Sequence, residues 1–422
     1  MNRRYFLLSS AVALKASQLR SPNDTIRAAC VGIRGQGAGH IRNFSSLPNT
    51  ELAAICDVDE SVSGARLKDL AQRGVKAPKA YQDVRRLLED KTIDVVSIAT
   101  PNHWHTLIAI WAMQAGKDVY VEKPATHNIF ESRQIVAAAA RYGKMVQHGS
   151  QTRSSPSIQQ AVQAMKDGLL GEVYMSRGLC YKTRDTIGKA KVEAVPPGVD
   201  YDLWTGPAPK REFTRNRFHY NWHWFWDTGD GDFGNQGIHE VDISRWGLGV
   251  GYPTKISASG GKVMFDDDQE TPNVQMVDYE FEVNGKKKFL VFEVRHWHTN
   301  PEGGAKVGNL FYGEKGYMVV DGYTKAAAFM GPKGEPGQTW QGGGNHFANF
   351  LDAVRSRKVA DLNAPIEEGA ISCTLMHLGN IAYRLGRTIR FDEKTFTCPG
   401  DKEATAMFKR VYRKPFVVPE NL

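Results

Sequence analysis

Only five cysteines occur in 422 residues, Cys30, Cys56, Cys180, Cys373 and Cys398, and no two form a Cys-x-x-Cys pair. Few, odd in number and widely spaced, they exclude a disulfide framework and a zinc pattern. Cys30 and Cys56 lie in apolar, strand-like runs and are expected as small buried side chains. Long apolar runs are missing too: none approaches the roughly 18 residues of a membrane span. Concentrated positive charge is also missing. The formal net charge is +8, but Lys286-Lys287-Lys288 is the sole compact basic run. It follows Asn284-Gly285 and reads as a solvated hairpin tip. With no basic stripe and no nucleic-acid module, nucleic acid is excluded as a partner. What is there is an ordinary globular composition, 41% hydrophobic and 24% charged, long enough for two cores.

The first residues carry an address. Asn2-Arg3-Arg4-Tyr5-Phe6-Leu7-Leu8 precedes a small-residue, weakly apolar stretch from Ser9 to Ser17, interrupted by Lys15. Twin arginines followed by an aromatic residue and leucines read as a twin-arginine export signal. Residues 1–25 are expected to direct export to the periplasm; the alternative is a cytoplasmic protein with a disordered basic start. The twin-arginine route moves folded proteins, which suits an enzyme that loads a cytosolic cofactor before it leaves.

Residues 26–150 are expected to form an α/β fold with a doubly wound parallel sheet. Apolar runs at 26–33, 51–56, 93–99, 118–121 and 145–147 alternate with helical stretches at 40–47, 81–90, 105–115 and 130–142. That is the rhythm of βαβ units. Gly35-Gln36-Gly37-Ala38-Gly39 follows the first run. Glycines there let the backbone approach a pyrophosphate, and the following helix N-terminus adds unpaired amides. The pattern departs from G-x-G-x-x-G, because His40 holds the third place with Gly39 one position early, so a shortened or shifted helix entry is expected. Asp57 stands about 20 positions beyond, where a carboxylate accepts both ribose hydroxyls. It would repel a 2′-phosphate and so favours NAD over NADP. Gly35, Gln36, Gly37, Ala38 and Asp57 are therefore expected cofactor contacts. Thr100, Pro101, Asn102 and His105, in the loop after the run at 93–99, join them, as does Glu122. Glu122-Lys123-Pro124 ends the run at 118–121. Pro124 cannot extend a central strand, so Lys123 is delivered to the carboxyl edge, where parallel sheets bind ligands. A lysine beside a nicotinamide and a substrate hydroxyl can orient that hydroxyl and help move its proton.

Beyond residue 150 the pattern changes. Strand-like runs at 173–181, 254–259, 275–283, 288–294, 307–312 and 317–320 follow in series, with turns at Asn284-Gly285 and Glu314-Lys315-Gly316. Strands without intervening helices argue for an antiparallel sheet; the stretch 366–385 is helical. Residues 218–227 are dense in aromatic rings, several of them core. Among them His219, Tyr220, Trp222 and His223 are expected to wall a carbohydrate subsite, since aromatic faces stack on sugar rings while polar neighbours read hydroxyls. His219, His223, His239 and Asp242 could converge on a metal, but no helical ligand spacing supports one and none is expected.

The glycine turn, Ala54-Ile55-Cys56-Asp57, Thr100-Pro101-Asn102 with His105, Glu122-Lys123-Pro124, Gly171-Glu172-Val173, and Asn345-His346-Phe347 with Phe350-Leu351-Asp352-Ala353 carry a likeness. Together they resemble the glucose–fructose oxidoreductase, inositol dehydrogenase and rhizopine-catabolism (Gfo/Idh/MocA) family, over residues 26–395. The resemblance implies an NAD(P)-binding Rossmann domain at 26–150 and a substrate-binding and oligomerisation α/β domain at 151–395, with 396–422 as a tail. The second domain would hold a large, mostly antiparallel open sheet that commonly forms the oligomer face, of a dimer or tetramer. In that family an acid precedes by four residues a histidine that acts as acid/base at the reacting hydroxyl, both on one helical face. His239 matches the histidine and Asp242 a frequent follower, while Asn235 stands in the acid's place. An amide cannot ionise, so either His239 works without that carboxylate or Asp232 or Asp242 replaces it. Lys123, His239, Asp242 and Asn235 are thus the expected catalytic group. Arg153, after Gln151-Thr152, matches a stretch near the family's active site and is expected at the substrate. The implied function is oxidation of a hydroxyl of a sugar, glycoside or cyclitol by hydride transfer to nicotinamide. Two alternatives stay open: a redox-neutral glycoside hydrolase or sugar–sugar transhydrogenase with tightly bound NAD, and a non-catalytic sugar-binding protein.

Overall fold

The computed structural model describes residues 25–422, so the expected export segment, save its last residue, lies outside the described residues. Six strands, β1 (Ile26–Val31), β2 (Thr50–Cys56), β3 (Lys79–Tyr81), β4 (Val95–Ile98), β5 (Asp118–Val121) and β6 (Val146–His148), form a parallel sheet. Their order is β3-β2-β1-β4-β5-β6, the doubly wound arrangement. Side-chain alternation divides each central strand between two cores. Val96, Ile98, Val119 and Val121 meet the helices Asn102–Gln114 and Ile129–Tyr142 on one face. Val95 and Tyr120 meet the helices Gln36–Phe44 and His346–Ser356 on the other. A strand covered on both faces must be apolar throughout, and β4 is buried at every residue. The last of these helices comes from the far end of the chain. Its Phe347 stacks on Tyr120 with ring centroids 4.5 Å apart.

The second sheet has nine strands: β7 (Val173–Cys180), β8 (Lys255–Gly261), β9 (Val274–Val283), β10 (Lys286–Arg295), β11 (Val307–Gly313), β12 (Gly316–Asp321), β13 (Lys325–Met330), β14 (Glu335–Gln341) and β15 (Ile389–Arg390). They run in the order β14-β13-β12-β11-β7-β10-β9-β8-β15. The β7–β10 pair is parallel and the other pairs are antiparallel, so the sheet is mixed but mostly antiparallel. One face is packed: Val277, Tyr279 and Phe281 of β9 are buried on the side of helix Ile366–Leu385, where Tyr279 Oη donates to the Leu375 carbonyl at 2.8 Å. The other face is open, with Tyr174, Met276 and Phe289 exposed on it. Helix Ile238–Leu248 lies on β7, with a π turn, Phe233–Gly237, leading into it.

Several elements differ from the sequence expectation. The first helix starts at Gln36, not at residue 40. Helices Glu60–Gln72 and Pro156–Lys166 and strands β3, β13 and β14 had no counterpart in the sequence reading. β14 is an edge strand in which Trp340 alone is buried, so it lacks an alternating signal. The residues after 396 fold back on the Rossmann half. Tyr412 Oη donates to Glu131 at 2.9 Å, and the Phe416 ring meets that of Trp104 at 5.2 Å.

Candidate active site

A cavity of about 320 Å³ opens at the carboxyl ends of β1, β2, β4 and β5, within the size range of small-molecule sites. Its floor is set by glycines, in a different frame from the one expected. Gly32 has φ of +76°, and a Cβ there would come within 2.6 Å of the Thr100 nitrogen. Gly37 lies inside the first helix, where a Cβ would come within 2.0 Å of the Gly32 carbonyl oxygen. Gly32 thus makes the tight turn and Gly37 the close helix–strand contact, with Arg34 and Gly35 between them at the cavity wall. This corrects the expectation: the fingerprint starts at Gly32, three residues earlier than read. Gly37 serves packing, and Ala38 is buried in the helix rather than at the cavity wall.

Asp57 ends β2 at the wall. Its Oδ2 accepts the Ile33 N–H at 2.9 Å and its Oδ1 the Asp59 N–H at 3.1 Å, which fixes the carboxylate's direction. Burial pushes it up to about 6 against those two hydrogen bonds. Thr100 Oγ1, also at the wall, is buried without a partner. A turn that only glycine fits, a helix N-terminus, an oriented carboxylate and an orphaned hydroxyl together suit a dinucleotide.

Thr100-Pro101-Asn102 and Glu122-Lys123-Pro124 form the adjoining rim, and His105 ties them together. Its Nδ1 is 2.7 Å from the Pro124 carbonyl and its Nε2 2.7 Å from the Thr100 carbonyl. Carbonyls only accept, burial lowers the ring's pKa and a neutral imidazole carries a single N–H, so His105 donates to one of the two loops while its ring, held between them, shapes the wall. The Asn102 amide is held as well, donating to Asp230 at 2.8 Å. Glu122 is buried beneath the rim. His40 Nε2 at 3.1 Å, Gln151 Nε2 at 2.8 Å and Gln36 Nε2 at 3.2 Å surround its Oε1. Burial opposes its charge, but His40 beside it holds the carboxyl well below the usual range. Lys123 Nζ donates to the Asn235 carbonyl, and burial lowers its pKa despite the nearby Glu122. His40 and Gln151 are functional supports that the sequence reading did not single out.

The far wall comes from the second half of the chain. Trp204, His219, Tyr220, Trp222, His223 and Asn235 all line the same cavity. His219 is held by the Rossmann side, its Nε2 2.9 Å from Asp59 Oδ2. Its Nε2 thus latches this segment to the Rossmann side, while the ring still lines the cavity as expected of a ligand contact. Around it the segment 198–223 is sewn down. Glu60 N–H donates to the Gly198 carbonyl at 3.0 Å and Asp200 N–H to the Val58 carbonyl at 2.9 Å. Trp104 Nε1 donates to the Leu203 carbonyl at 2.9 Å. The Trp222 ring stacks on His223 at 3.5 Å. Burial brings His223 down to about 3. Tyr220 is 48% exposed, at the mouth.

The expected catalytic group is split. His239 stands near Lys123 and Glu122, whose charges act on it, and its Nδ1 is buried without a hydrogen-bond partner among the described residues. Burial, then the Lys123 charge, brings its imidazole down to about 3, so the ring is neutral near pH 7. Asn235 lines the cavity but sits in the π turn, so the α-helical i, i+4 geometry with His239 does not hold. The two candidate replacement acids are both occupied. Asp242 takes Arg153 in a bidentate pair at 2.7 and 2.9 Å, plus the Ser372 hydroxyl at 2.6 Å. Asp232 takes Arg184 at 3.0 and 2.8 Å. Despite burial, the arginine beside each carboxyl is among the partners that hold it far below its usual range. Arg153 and Asp242 therefore brace the helix Ile238–Leu248 from within, and neither lines the cavity: the expectations of a substrate contact and a catalytic acid are both corrected. His219 is held by Asp59 and Asp242 by Arg153, so two of the four groups considered for a metal are engaged elsewhere.

On the other side of His239 lies a cluster that the sequence reading missed. The Tyr323 ring is 5.1 Å from the His239 ring. Gln236 Nε2 donates to Tyr323 Oη at 2.7 Å and to Glu240 Oε1 at 2.9 Å, and its own oxygen accepts from Lys182 Nζ. No short motif joins residues so far apart in the chain.

Comparison with known proteins agrees with this architecture. Residues 26–150 match the Gfo/Idh/MocA model for an oxidoreductase-family NAD-binding Rossmann fold, and residues 158–296 and 339–418 match the model for that family's C-terminal alpha/beta domain. A glycosyl hydrolase family 109 protein of Shewanella pealeana is 30% identical over 202 residues, 41% of this chain and 44% of the relative. An alpha-N-acetylgalactosaminidase of Shewanella oneidensis is 29% identical over 154 residues, 36% of this chain and 34% of the relative. The alignments thus span under half the length of these curated relatives. Among solved structures, the WlbA dehydrogenase of Bordetella pertussis, in complex with NADH and UDP-GlcNAcA, superposes with a TM-score of 0.65 at 20% identity, covering 87% of this chain and 99% of that one. The aldose-aldose oxidoreductase of Caulobacter crescentus superposes with a TM-score of 0.66 at 18% identity, covering 87% and 100%. At such identities the structures speak for the fold. With both domain models matched in order, the chain belongs to the Gfo/Idh/MocA oxidoreductase family.

Proposed function

We propose that this protein oxidises a hydroxyl of a sugar, glycoside or cyclitol at the junction of the cavity and the His239 cluster. The observation that carries the reading is the nearness of Lys123, at the rim of the dinucleotide cavity, to His239, whose ring feels its charge and whose Nδ1 has no hydrogen-bond partner among the described residues. NAD, when bound, supplies the hydride acceptor, and the oriented carboxylate of Asp57 favours it over NADP. Lys123 holds and polarises the substrate oxygen, and His239 takes the hydroxyl proton as the C–H hydride departs. The Asn235 carbonyl aims Lys123, and buried Glu122 keeps a negative charge behind it.

A second reading is favoured by the latch. The segment 198–223 is hydrogen-bonded across the cavity, so a bound cofactor exchanges slowly and is best reused. A hydride that leaves a glycoside and then returns gives no net redox. While the ring carries a carbonyl, the neighbouring C–H is acidic, the aglycone leaves by elimination, water adds to the resulting double bond, and the hydride comes back. The balance is hydrolysis of the glycoside. The curated relatives named as glycosyl hydrolases point the same way. We extend the proposal to export through the twin-arginine route with NAD tightly loaded, and to a dimer or tetramer through the open sheet face.

The test is to mix NAD-loaded protein with sugars and alkyl or aryl glycosides and follow absorbance at 340 nm. A rise on mixing, slowed by deuterium at the reacting carbon, is expected. No change with any carbohydrate sinks the hydride reading. Release of aryl alcohol without added acceptor selects the redox-neutral branch.

A further inference from the structure

The substrate side holds a cation with no anionic partner. Lys182 follows the end of β7, and its hydrogen bond among the described residues goes to the neutral side-chain amide of Gln236. The neighbouring charges are matched. Arg184 is paired with Asp232, and Glu122 lies beside Lys123. On the adjoining sheet, Arg177 and Arg295 are paired with Glu293 and Glu302. Glu240 is the one other carboxyl in the cluster. Its Oε2 is buried with no hydrogen-bond partner among the described residues, and burial pushes it up to about 8 against the Lys182 charge. Lys182 belongs to the reacting region by contact as well as by field. Gln236 links it to Tyr323, whose ring lies against His239, and its charge acts on Lys123. Tyr323 is 38% exposed, so the cluster reaches the surface.

A part-buried ammonium held by an amide, with a phenol linked through that amide, is a point-charge receptor for an oxyanion. We propose that Lys182, with Tyr323 and Gln236, selects substrates whose sugar carries an anionic group, a carboxylate or a sulfate. The proposal rests on the carbohydrate reading above, because it places that group on the same ring that presents its hydroxyl to Lys123 and His239. A hydrogen bond to a charged group contributes about 1.5–3 kcal/mol, which corresponds to a preference of about 10- to 100-fold over the neutral sugar.

The experiment is calorimetric titration of the NAD-loaded protein with methyl glucuronide, methyl glucoside 6-sulfate and methyl glucoside. At least one anionic ligand is expected to bind about 10- to 100-fold tighter than the neutral one. Which of the two does so tells carboxylate from sulfate. The preference should collapse toward unity in Lys182→Gln and return in Lys182→Arg. Equal affinities, failure of all three to bind, or a preference that survives Lys182→Gln would overturn the proposal. Binding is read separately from absorbance at 340 nm. A preferred ligand that exchanges no hydride would count against the proposed reaction and not against Lys182 as the selector.

Discussion

The two sides of Lys123 are built differently. On the cofactor side most polar side chains are held by the protein: Asp57 by two backbone amides, His105 between two carbonyls, and His219 by Asp59, leaving the Thr100 hydroxyl without a hydrogen-bond partner among the described residues. On the substrate side His239 Nδ1 and Glu240 Oε2 are buried without hydrogen-bond partners among the described residues, and Lys182 donates to an amide. Unpartnered buried polar groups are costly unless a ligand completes them. The contrast teaches a division of labour. A side already tied together suits an occupant that stays, and a side with open donors and acceptors suits one that changes each turnover.

The contrast is broken most severely at its hinge. Lys123→Met should cut turnover about 100- to 10,000-fold while leaving NAD content in place. Near-normal turnover would remove Lys123 from the chemistry. Asp242→Ala tests whether the Arg153 pair is structural. Removing the bidentate partner of a buried guanidinium, which then keeps Glu368 at 3.4 Å, should cost up to about 3–5 kcal/mol of stability, read as a lower unfolding midpoint. Activity per folded molecule should fall far less than in Lys123→Met, and a catalytic Asp242 would reverse that order. Gly32→Ala attacks the cofactor side alone. A side chain at φ of +76° is strained and meets the Thr100 nitrogen, so NAD affinity should drop about 10- to 100-fold. Unchanged affinity would reject the corrected glycine frame.

Acidity sharpens the same comparison on a smaller scale. Burial brings His103, His223, His239 and His377 down to about 3, and His148 and His346 to about 4. In the unfolded chain they return to about 6.5, so it binds more protons than the folded one and stability rises with pH between about 5 and 6.5. Carboxyls raised by burial, chiefly Asp230 and Glu240 at about 8, act in the opposite sense and are fewer. Scanning calorimetry should show the midpoint climbing from pH 5 to 6.5, then flattening or declining toward pH 8. A midpoint flat from 5 to 6.5 would refute the neutral, buried state of these rings. The smallest effect belongs to the latch. His219→Ala should speed NAD loss about 5- to 10-fold, seen as fluorescence of NADH released into a trapping enzyme.

The Rossmann strands were legible in the sequence because a sheet covered on both faces needs runs of apolar residues, as in β4 and β5. The position of Lys123 was legible for a related reason, since Pro124 stops the strand where ligands gather. The glycine frame was not. Gly32, Gly35, Gly37 and Gly39 offer more than one register, and only the clash a Cβ would make at Gly32 decides between them. Arg153 and Asp242 are 89 residues apart, and nothing local says that each will neutralise the other. Lys182, Gln236 and Tyr323 escaped notice for the same reason, being brought together by the sheet and not by a motif. The place of His219 at the cavity was legible from its aromatic neighbours, but its latch was not, since its partner, Asp59, lies 160 residues earlier.

The measurement that bears most directly on this division of labour is cofactor retention. The protein is purified without added nucleotide and denatured, and the supernatant is assayed for nicotinamide dinucleotide and its redox state. Near-stoichiometric NAD, with a lower yield from His219→Ala, is the predicted result. Protein that emerges empty, and that turns over only with freely exchanging NAD, would contradict the account.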